Sequence, residues 1–89
     1  NAQQTRDWKV LCWNVRGLNS ETRQRAVRQK VIESQCAVVC LQETKLSECP
    51  RNLIKSICPV GFDQFIESPS RGASGGILTV WRSDFSRVL

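Results

Sequence analysis

Apolar residues along the chain fall into four short runs that are separated by polar and glycine-containing segments. The runs cover residues 9–15, 37–41, 62–67 and 76–82. The first two are nearly continuous, which is typical of strands covered on both faces, whereas the mixed polarity of the third indicates a strand with one exposed face. The last two runs follow each other closely and predict a hairpin of two strands.

Two helices are predicted between the first three strands. Residues 21–34 form the longer one, with Ser20 as N-cap and Glu21 in the first turn, where the helix dipole favours a negative charge. Its expected apolar stripe consists of Ala26, Val27, Val31 and Ile32. A second, short helix is predicted over residues 51–57. The resulting order, β-α-β-α-β-β, predicts an α/β fold.

The first β-α-β unit brings two polar residues to one edge of the predicted sheet. Strands joined by a helix are normally parallel with a right-handed crossover, so Asn14 and Glu43 come at neighbouring carboxyl ends, where ligands tend to bind. Amide and carboxylate oxygens suit Mg²⁺. A structural interpretation also stays open, in which Asn14 ends a strand and Glu43 begins a solvated loop. Arg16 and Lys45 flank the pair, either as phosphate ligands or as ordinary loop charges.

The charge balance is compatible with an acidic partner but does not establish one. Thirteen basic residues against eight acidic ones give a formal charge of +5, which fits either a phosphate polymer or a merely basic, soluble surface. The sequence contains no His. A His-activated Ser nucleophile and a mixed Cys/His zinc site are therefore excluded for this chain.

The five cysteines form no CxxC pair and favour a reducing, intracellular location, with the nucleus as one option. Cys12 and Cys40 lie in apolar runs and are predicted to be core residues. Trp13 and Trp81 also lie in apolar runs, so we expect them to pack in the core rather than to stack on bases. A disulfide between Cys49 and Cys58 remains an alternative. Residues 1–7 are predicted to be a polar leader and show no signal-peptide pattern. No apolar run approaches the roughly 18–20 residues of a membrane span, so no membrane partner is expected.

Three segments together resemble the endonuclease/exonuclease/phosphatase superfamily. Residues 13–19 (Trp-Asn-Val-Arg-Gly-Leu-Asn) are similar to its first motif, in the form found in the endonuclease of plant-type non-LTR retrotransposons. Residues 41–45 (Leu-Gln-Glu-Thr-Lys) resemble the second motif, and residues 74–77 (Ser-Gly-Gly-Ile), followed by an apolar strand and Trp81, resemble the next landmark. The three occur in the superfamily's order, and the resemblance extends from Trp8 onward.

The resemblance implies a four-layer α/β sandwich, in which two packed sheets are flanked by helices. Residues 8–89 would be the N-terminal part of such a domain, truncated at the C-terminus, and residues 1–7 would be a disordered leader. The missing C-terminal half of the domain would then be a partner of this part.

The resemblance also assigns roles at the site. Glu43 and Asn14 would be catalytic residues that hold Mg²⁺ or Mn²⁺, and Gln42 would orient that site. Gln42 is also a candidate substrate-binding residue, together with the flanking cations Arg16 and Lys45. The superfamily hydrolyses phosphodiesters with a water activated by a His–Asp pair, and in the retrotransposon branch the substrate is DNA.

The chain lacks two features of the superfamily pattern. It has no His, and no Asp-x-Asn motif occurs at a strand end. Whether the chain is an enzyme by itself therefore stays open, and we expect the isolated fragment to be inactive. The alternatives are a non-catalytic, basic nucleic-acid-binding remnant and a phosphoesterase of the same superfamily that acts on another substrate.

Overall fold

The computed structural model of the chain describes residues 9–46, 51–69 and 75–84. Its elements, in chain order, are β1 (Val10–Asn14), α1 (Glu21–Ser34), β2 (Val38–Gln42), α2 (Arg51–Ile57), β3 (Phe62–Ser68) and β4 (Ile77–Arg82). The predicted order is confirmed, and no bound differs from its predicted position by more than one residue. The fold class is α/β, consistent with one part of an α/β sandwich. The predicted leader, residues 1–7, lies outside the described residues.

The four strands form one mixed sheet in the order β1-β2-β4-β3. β1 and β2 are parallel, as expected for strands joined by α1, and β4 is antiparallel to both β2 and β3. The predicted β3–β4 hairpin is confirmed. The carboxyl ends of β1, β2 and β3 therefore lie at the same edge of the sheet as the start of β4.

Side-chain hydrogen bonds cap α1 and join it to α2. The Ser20 hydroxyl accepts a hydrogen bond from the Arg23 backbone N–H at 3.1 Å, which confirms the predicted N-cap of α1. Arg28 of α1 donates to the backbone carbonyls of Lys55 and Cys58, at 3.1 Å and 3.0 Å. These carbonyls lie at the C-terminal end of α2, where a cation is favourable. Arg28 thus joins the two helices.

The core lies between the helices and one face of the sheet. Strand residues in it are Val39, Leu41, Leu78 and Val80, and helix residues in it are Val27, Val31, Leu53, Ile54 and Ile57. The predicted stripe of α1 is correct at Val27 and Val31 but wrong at Ala26 and Ile32, which are exposed. Successive helix residues are about 100° apart around the helix axis. Ala26 precedes Val27 and Ile32 follows Val31, so each lies about 100° away from the buried residue next to it and outside the contact with the core.

The other face of the sheet is open in the described structure. Three large apolar side chains on it are about half exposed or more: Val10 at 56%, Ile66 at 66% and Ile77 at 48%. Both helices pack against the opposite face, so within the described residues the predicted coverage of β1 and β2 is seen on one face only. We call the face with Val10, Ile66 and Ile77 the open face.

Two cysteines and a tryptophan that were predicted to be core residues lie on the open face instead. Cys12 is exposed, and Cys40 and Trp81 are half-buried. Their register places them beside Val10 and Ile66 rather than among the buried residues. Trp13, by contrast, packs against the core as predicted.

The four described cysteines are free thiols, Cys58 included, so the alternative disulfide between Cys49 and Cys58 is absent. Cys49 itself lies outside the described residues. Neither α1 nor α2 is long and apolar enough to cross a membrane.

Candidate functional site

Asn14 and Glu43 meet at the edge where β1 and β2 end. Asn14 is the last residue of β1 and lies in register with Gln42, the last residue of β2, so that Glu43 follows directly. The Asn14 side-chain amide donates a hydrogen bond of 2.5 Å to Oε2 of Glu43. Both side chains are exposed. The helix-bridged strand pair thus brings an amide and a carboxylate together at a surface that solvent can reach.

This hydrogen bond determines which oxygens the pair can offer to a cation. It uses the amide nitrogen of Asn14 and one carboxylate oxygen of Glu43, so the amide Oδ1 and the other carboxylate oxygen remain as ligands. These are hard oxygen donors of the kind that Mg²⁺ takes together with several waters. Among residues 9–46, 51–69 and 75–84, no group of three or more His, Cys, Asp or Glu assembles. The pair thus offers two oxygen donors, a number that suits a hydrated ion with few protein ligands.

Backbone hydrogen bonds hold the segment that carries Glu43 from both sides. On the β1 side, they run from Val15 to Gln42 (2.9 Å), from Gly17 to Glu43 (2.7 Å) and from Leu18 to Thr44 (2.9 Å). On the β4 side, they run from Thr44 to Gly76 (3.0 Å) and from Lys45 to Gly75 (2.9 Å). The pairing of the strands thus continues past their ends, which fixes Glu43 relative to Asn14.

Residues 43–46 alternate between solvent and core. Glu43 and Lys45 are exposed, whereas Thr44 and Leu46 are buried, with Thr44 only 2% exposed. The Thr44 hydroxyl accepts a hydrogen bond from the Leu46 backbone N–H at 3.5 Å, which satisfies this buried polar group locally. Sequence reasoning did not identify Thr44. Its burial keeps the side chains of Glu43 and Lys45 directed away from the core.

Strained backbone is concentrated at this edge. Arg16, Glu43 and Lys45 have φ angles of 54°, 54° and 58°, in the left-handed region that residues with a Cβ rarely adopt. They are three of the four described non-glycine residues with positive φ, and the fourth, Gln35, is the C-cap of α1. Such conformations cost roughly 1–3 kcal/mol each and are found preferentially at functional sites. The strain therefore supports a function for this edge.

Arg16 and Lys45, the two predicted phosphate ligands, carry positive charge at the same edge. Both are exposed, and a Cβ built on Gly17 would lie 3.8 Å from Cδ of Lys45, so the lysine side chain passes over the turn after β1. Gln42, the third predicted substrate-binding residue, is exposed next to Asn14 in register. Within the described residues, its side chain makes no hydrogen bond to Asn14 or Glu43.

Five other basic residues of the described structure are already engaged. Three form ion pairs: Arg25 with Glu21 (2.5 Å), Lys30 with Glu33 (4.0 Å) and Arg82 with Asp84 (2.8 Å). Arg28 caps α2, and the guanidinium of Arg51 lies 5.8 Å from the centre of the Phe65 ring. No such contact involves Arg16 or Lys45 in the part of the chain that the structure describes. These two cations are thus free to meet an anion at the site.

Two solved structures resemble this fold. The AP endonuclease LMAP from Leishmania major matches with a TM-score of 0.64 and 28% sequence identity, over 85% of this chain and 24% of that one. The catalytic domain of Xenopus laevis APE2 matches with a TM-score of 0.55 and 26% identity, over 83% of this chain and 23% of that one. No protein-family profile and no curated protein matches the chain.

The chain spans about a quarter of the length of these two structures. AP endonucleases belong to the endonuclease/exonuclease/phosphatase superfamily, so the structural neighbours agree with the sequence resemblance at the level of the superfamily fold.

Proposed function

We propose that the chain is the N-terminal part of a Mg²⁺-dependent DNA endonuclease of the non-LTR retrotransposon type, and that Asn14 and Glu43 belong to its metal and phosphate site. The single observation that carries this proposal is the hydrogen-bonded Asn14–Glu43 pair at an exposed edge of the sheet. The likeness to two AP endonucleases supports a nuclease fold. The Arg-Gly-Leu-Asn sequence at residues 16–19 supports the retrotransposon branch and DNA as substrate.

Each residue of the site has a distinct task under this proposal. Glu43 and Asn14 would hold Mg²⁺ or Mn²⁺, and a bound ion of this kind polarises a phosphoryl oxygen and stabilises a leaving oxygen. The hydrogen bond between the two side chains orients the carboxylate before any ligand arrives. Arg16 and Lys45 attract and hold the phosphate, and Gln42 contacts the substrate beside them. Without a His in the sequence, the chain has no residue for the superfamily's general base, so it binds but does not cleave.

A basic, non-catalytic nucleic-acid-binding remnant is the second candidate, because the sequence carries a charge of +5. Simple charge attraction would fall steeply with salt and would not depend on Glu43. Ion pairs, a helix cap and an aromatic contact engage five other described cations, which reduces the free charge on which this candidate depends.

Calorimetric titration with MgCl₂ and MnCl₂ at low ionic strength tests the proposal. For a partial site we expect weak binding, with a Kd on the order of 1 mM. Glu43→Gln removes the one charged ligand and should weaken binding at least about tenfold, which corresponds to about 1.4 kcal/mol. Glu33→Gln, an exposed carboxylate on α1, is the matched control and should leave the affinity unchanged.

Equal affinities for the wild type and Glu43→Gln would contradict the metal site. A parallel titration with a short DNA duplex, with and without Mg²⁺, separates the two candidates. Binding that weakens with salt but ignores both Mg²⁺ and Glu43→Gln would favour the basic remnant. A Mg²⁺-dependent gain that Glu43→Gln removes would favour the endonuclease.

A further inference from the structure

Two cysteines face each other across neighbouring strands of the sheet. Cys12 in β1 and Cys40 in β2 are direct register partners in the parallel pair, and both are free thiols. Residues in register on neighbouring strands project to the same face. For Cys12 and Cys40 this is the open face, where one thiol is exposed and the other half-buried.

The distance between the strands suits a covalent bond between these thiols. Neighbouring strands lie about 4.7–4.9 Å apart, and the Cα atoms of disulfide-bonded cysteines are usually about 4.4–6.8 Å apart. The Cα spacing of the pair therefore lies within the range that disulfides span. The same spacing exceeds the mean Cβ–Cβ distance of about 3.8 Å in disulfides, so the bond would carry strain and would be readily reduced.

The other two described cysteines lack this environment. Cys36 and Cys58 are buried on the helix side of the structure. Burial, with a smaller contribution from Cys36, raises the pKa of the Cys58 thiol to about 12, against a minor opposing effect of Arg28. Since the thiolate is the reactive form, Cys58 is expected to be inert, and chemistry should be confined to the pair on the open face.

We propose that Cys12 and Cys40 form a cross-strand dithiol that closes reversibly to a disulfide by exchange with a low-molecular-weight disulfide of the glutathione type. The Cys12 thiolate attacks one sulfur of the small disulfide, which forms a mixed disulfide and releases one small thiolate. The Cys40 thiolate then attacks Sγ of Cys12 and releases the second one. The two protein thiols together lose two protons and two electrons, and the small disulfide is reduced to two thiols.

This dithiol lies beside the Asn14–Glu43 pair, but the inference rests on the strand register and not on the function proposed above. Cys12 precedes Asn14 by two residues on the same face, and Cys40 precedes Gln42 in the same way.

A second consequence follows from the paired thiols. A trivalent arsenical such as phenylarsine oxide, which needs two neighbouring thiols, should bind at the same place without any oxidation.

The test incubates the full chain with oxidised glutathione and maps its cysteines by tryptic digestion and mass spectrometry. Cys12 lies on the tryptic peptide 10–16, and Cys40 shares the peptide 31–45 with Cys36. We expect these two peptides to be linked, with fragmentation locating the bond at Cys40. Cys36→Ala should still form the link, whereas Cys40→Ala should leave glutathione on Cys12. Fragmentation of peptide 31–45 decides between the two cysteines even if the buried Cys36→Ala variant does not fold.

Phenylarsine oxide gives an independent readout, because one equivalent should protect two thiols from labelling in the wild type. Cys12→Ser, at an exposed position, should abolish this protection. A link from Cys12 to Cys36, stable glutathione adducts without closure in the wild type, or arsenical protection that survives Cys12→Ser would each overturn the proposal.

Discussion

Replacement of Gly17 by Ala tests how closely the turn after β1 supports the Asn14–Glu43 pair. Gly17 has a φ of +107°, and its N–H donates to the Glu43 carbonyl at 2.7 Å. A Cβ at this position meets only Cδ of Lys45, at an ordinary contact distance of 3.8 Å. The cost of the substitution is therefore backbone strain rather than a steric clash.

The size of the effect follows from that φ angle. An L residue forced into a sparsely populated conformation costs roughly 1–3 kcal/mol. In a domain of 60–100 residues, each kcal/mol lowers Tm by about 4–8 °C, so we expect Gly17→Ala to lower Tm by about 4–24 °C. If the turn relaxes to a negative φ to avoid this cost, the hydrogen bond from Gly17 to Glu43 is lost, and with it the position of the carboxylate.

Gly61 provides a matched control at the opposite end of the sheet. Its φ is +109°, and a Cβ there meets nothing within 4 Å. Gly61→Ala should therefore cost about as much stability as Gly17→Ala, measured by thermal or urea unfolding. Only Gly17→Ala should also weaken Mg²⁺ binding in the calorimetric titration. Equal losses of Mg²⁺ affinity in both variants would show that the loss follows from a general destabilisation of the fold. Unchanged stability in both variants would refute the claim that an Ala at these positive φ angles strains the backbone.

Two further predictions concern the open face and the core. Ile66 is two-thirds exposed on the open face, so we expect the chain to associate through this face as its concentration rises. Burying a whole Ile side chain contributes about 1.5–3 kcal/mol, and two-thirds of that is about 1–2 kcal/mol. Ile66→Lys should therefore weaken the association by about 1–2 kcal/mol per copy. Sedimentation velocity measures the association, and the control Ile32→Lys on α1 should leave it unchanged. Equal association of the two variants would show that the contact lies outside the open face. For Cys58, the pKa is raised by burial from 9.0 to about 12, so the folded chain keeps a proton that the unfolded chain loses. The free energy of unfolding should be independent of this group below pH 9 and should fall between pH 9 and 12 by at most about 1.4 kcal/mol per pH unit, as followed by urea unfolding. Cys58→Ala should remove that part of the pH dependence, and an unchanged slope in the variant would contradict it.

Local structure could be predicted from the sequence because each element carries its own signal. Ser20 is an N-cap by residue type and caps α1 in the structure. The apolar runs locate the strands to within one residue. Chain order then determined that β1 and β2 are parallel, since a helix connects them, and this brought Asn14 and Glu43 to one edge.

Features that depend on distant partners could not be predicted in the same way. The position of β4 between β2 and β3 is set by pairing across the sheet, which no local pattern encodes. A continuous apolar run indicates that a strand is fit for burial, but it does not say which layer covers it, and this is why Cys12 and Trp81 were misplaced. The left-handed backbone of Arg16, Glu43 and Lys45 also has no sequence signal, because Gly or Asn is the usual residue there.

Thr44 shows the limit for the site itself. In the sequence it is one polar residue in a polar segment, and only the structure reveals that it is buried between two exposed neighbours. Its N–H donates to the carbonyl of Gly76, the residue before β4, which is more than thirty residues away along the chain. Only the alternation of exposed and buried side chains along residues 43–46 identifies it, and this alternation is visible in the structure but not in the sequence.

The claim that Asn14 and Glu43 share a cation is tested most sharply by NMR of the labelled chain during titration with Mn²⁺, a paramagnetic ion that broadens nearby resonances. We predict that the side-chain amide of Asn14 and the backbone amides around Glu43 broaden first, and that Glu43→Gln removes this effect while the resonances of Glu33 stay sharp. Early broadening at Glu33 or elsewhere on α1, with Asn14 unaffected, would show that the cation binds at a different place and would contradict the proposed site.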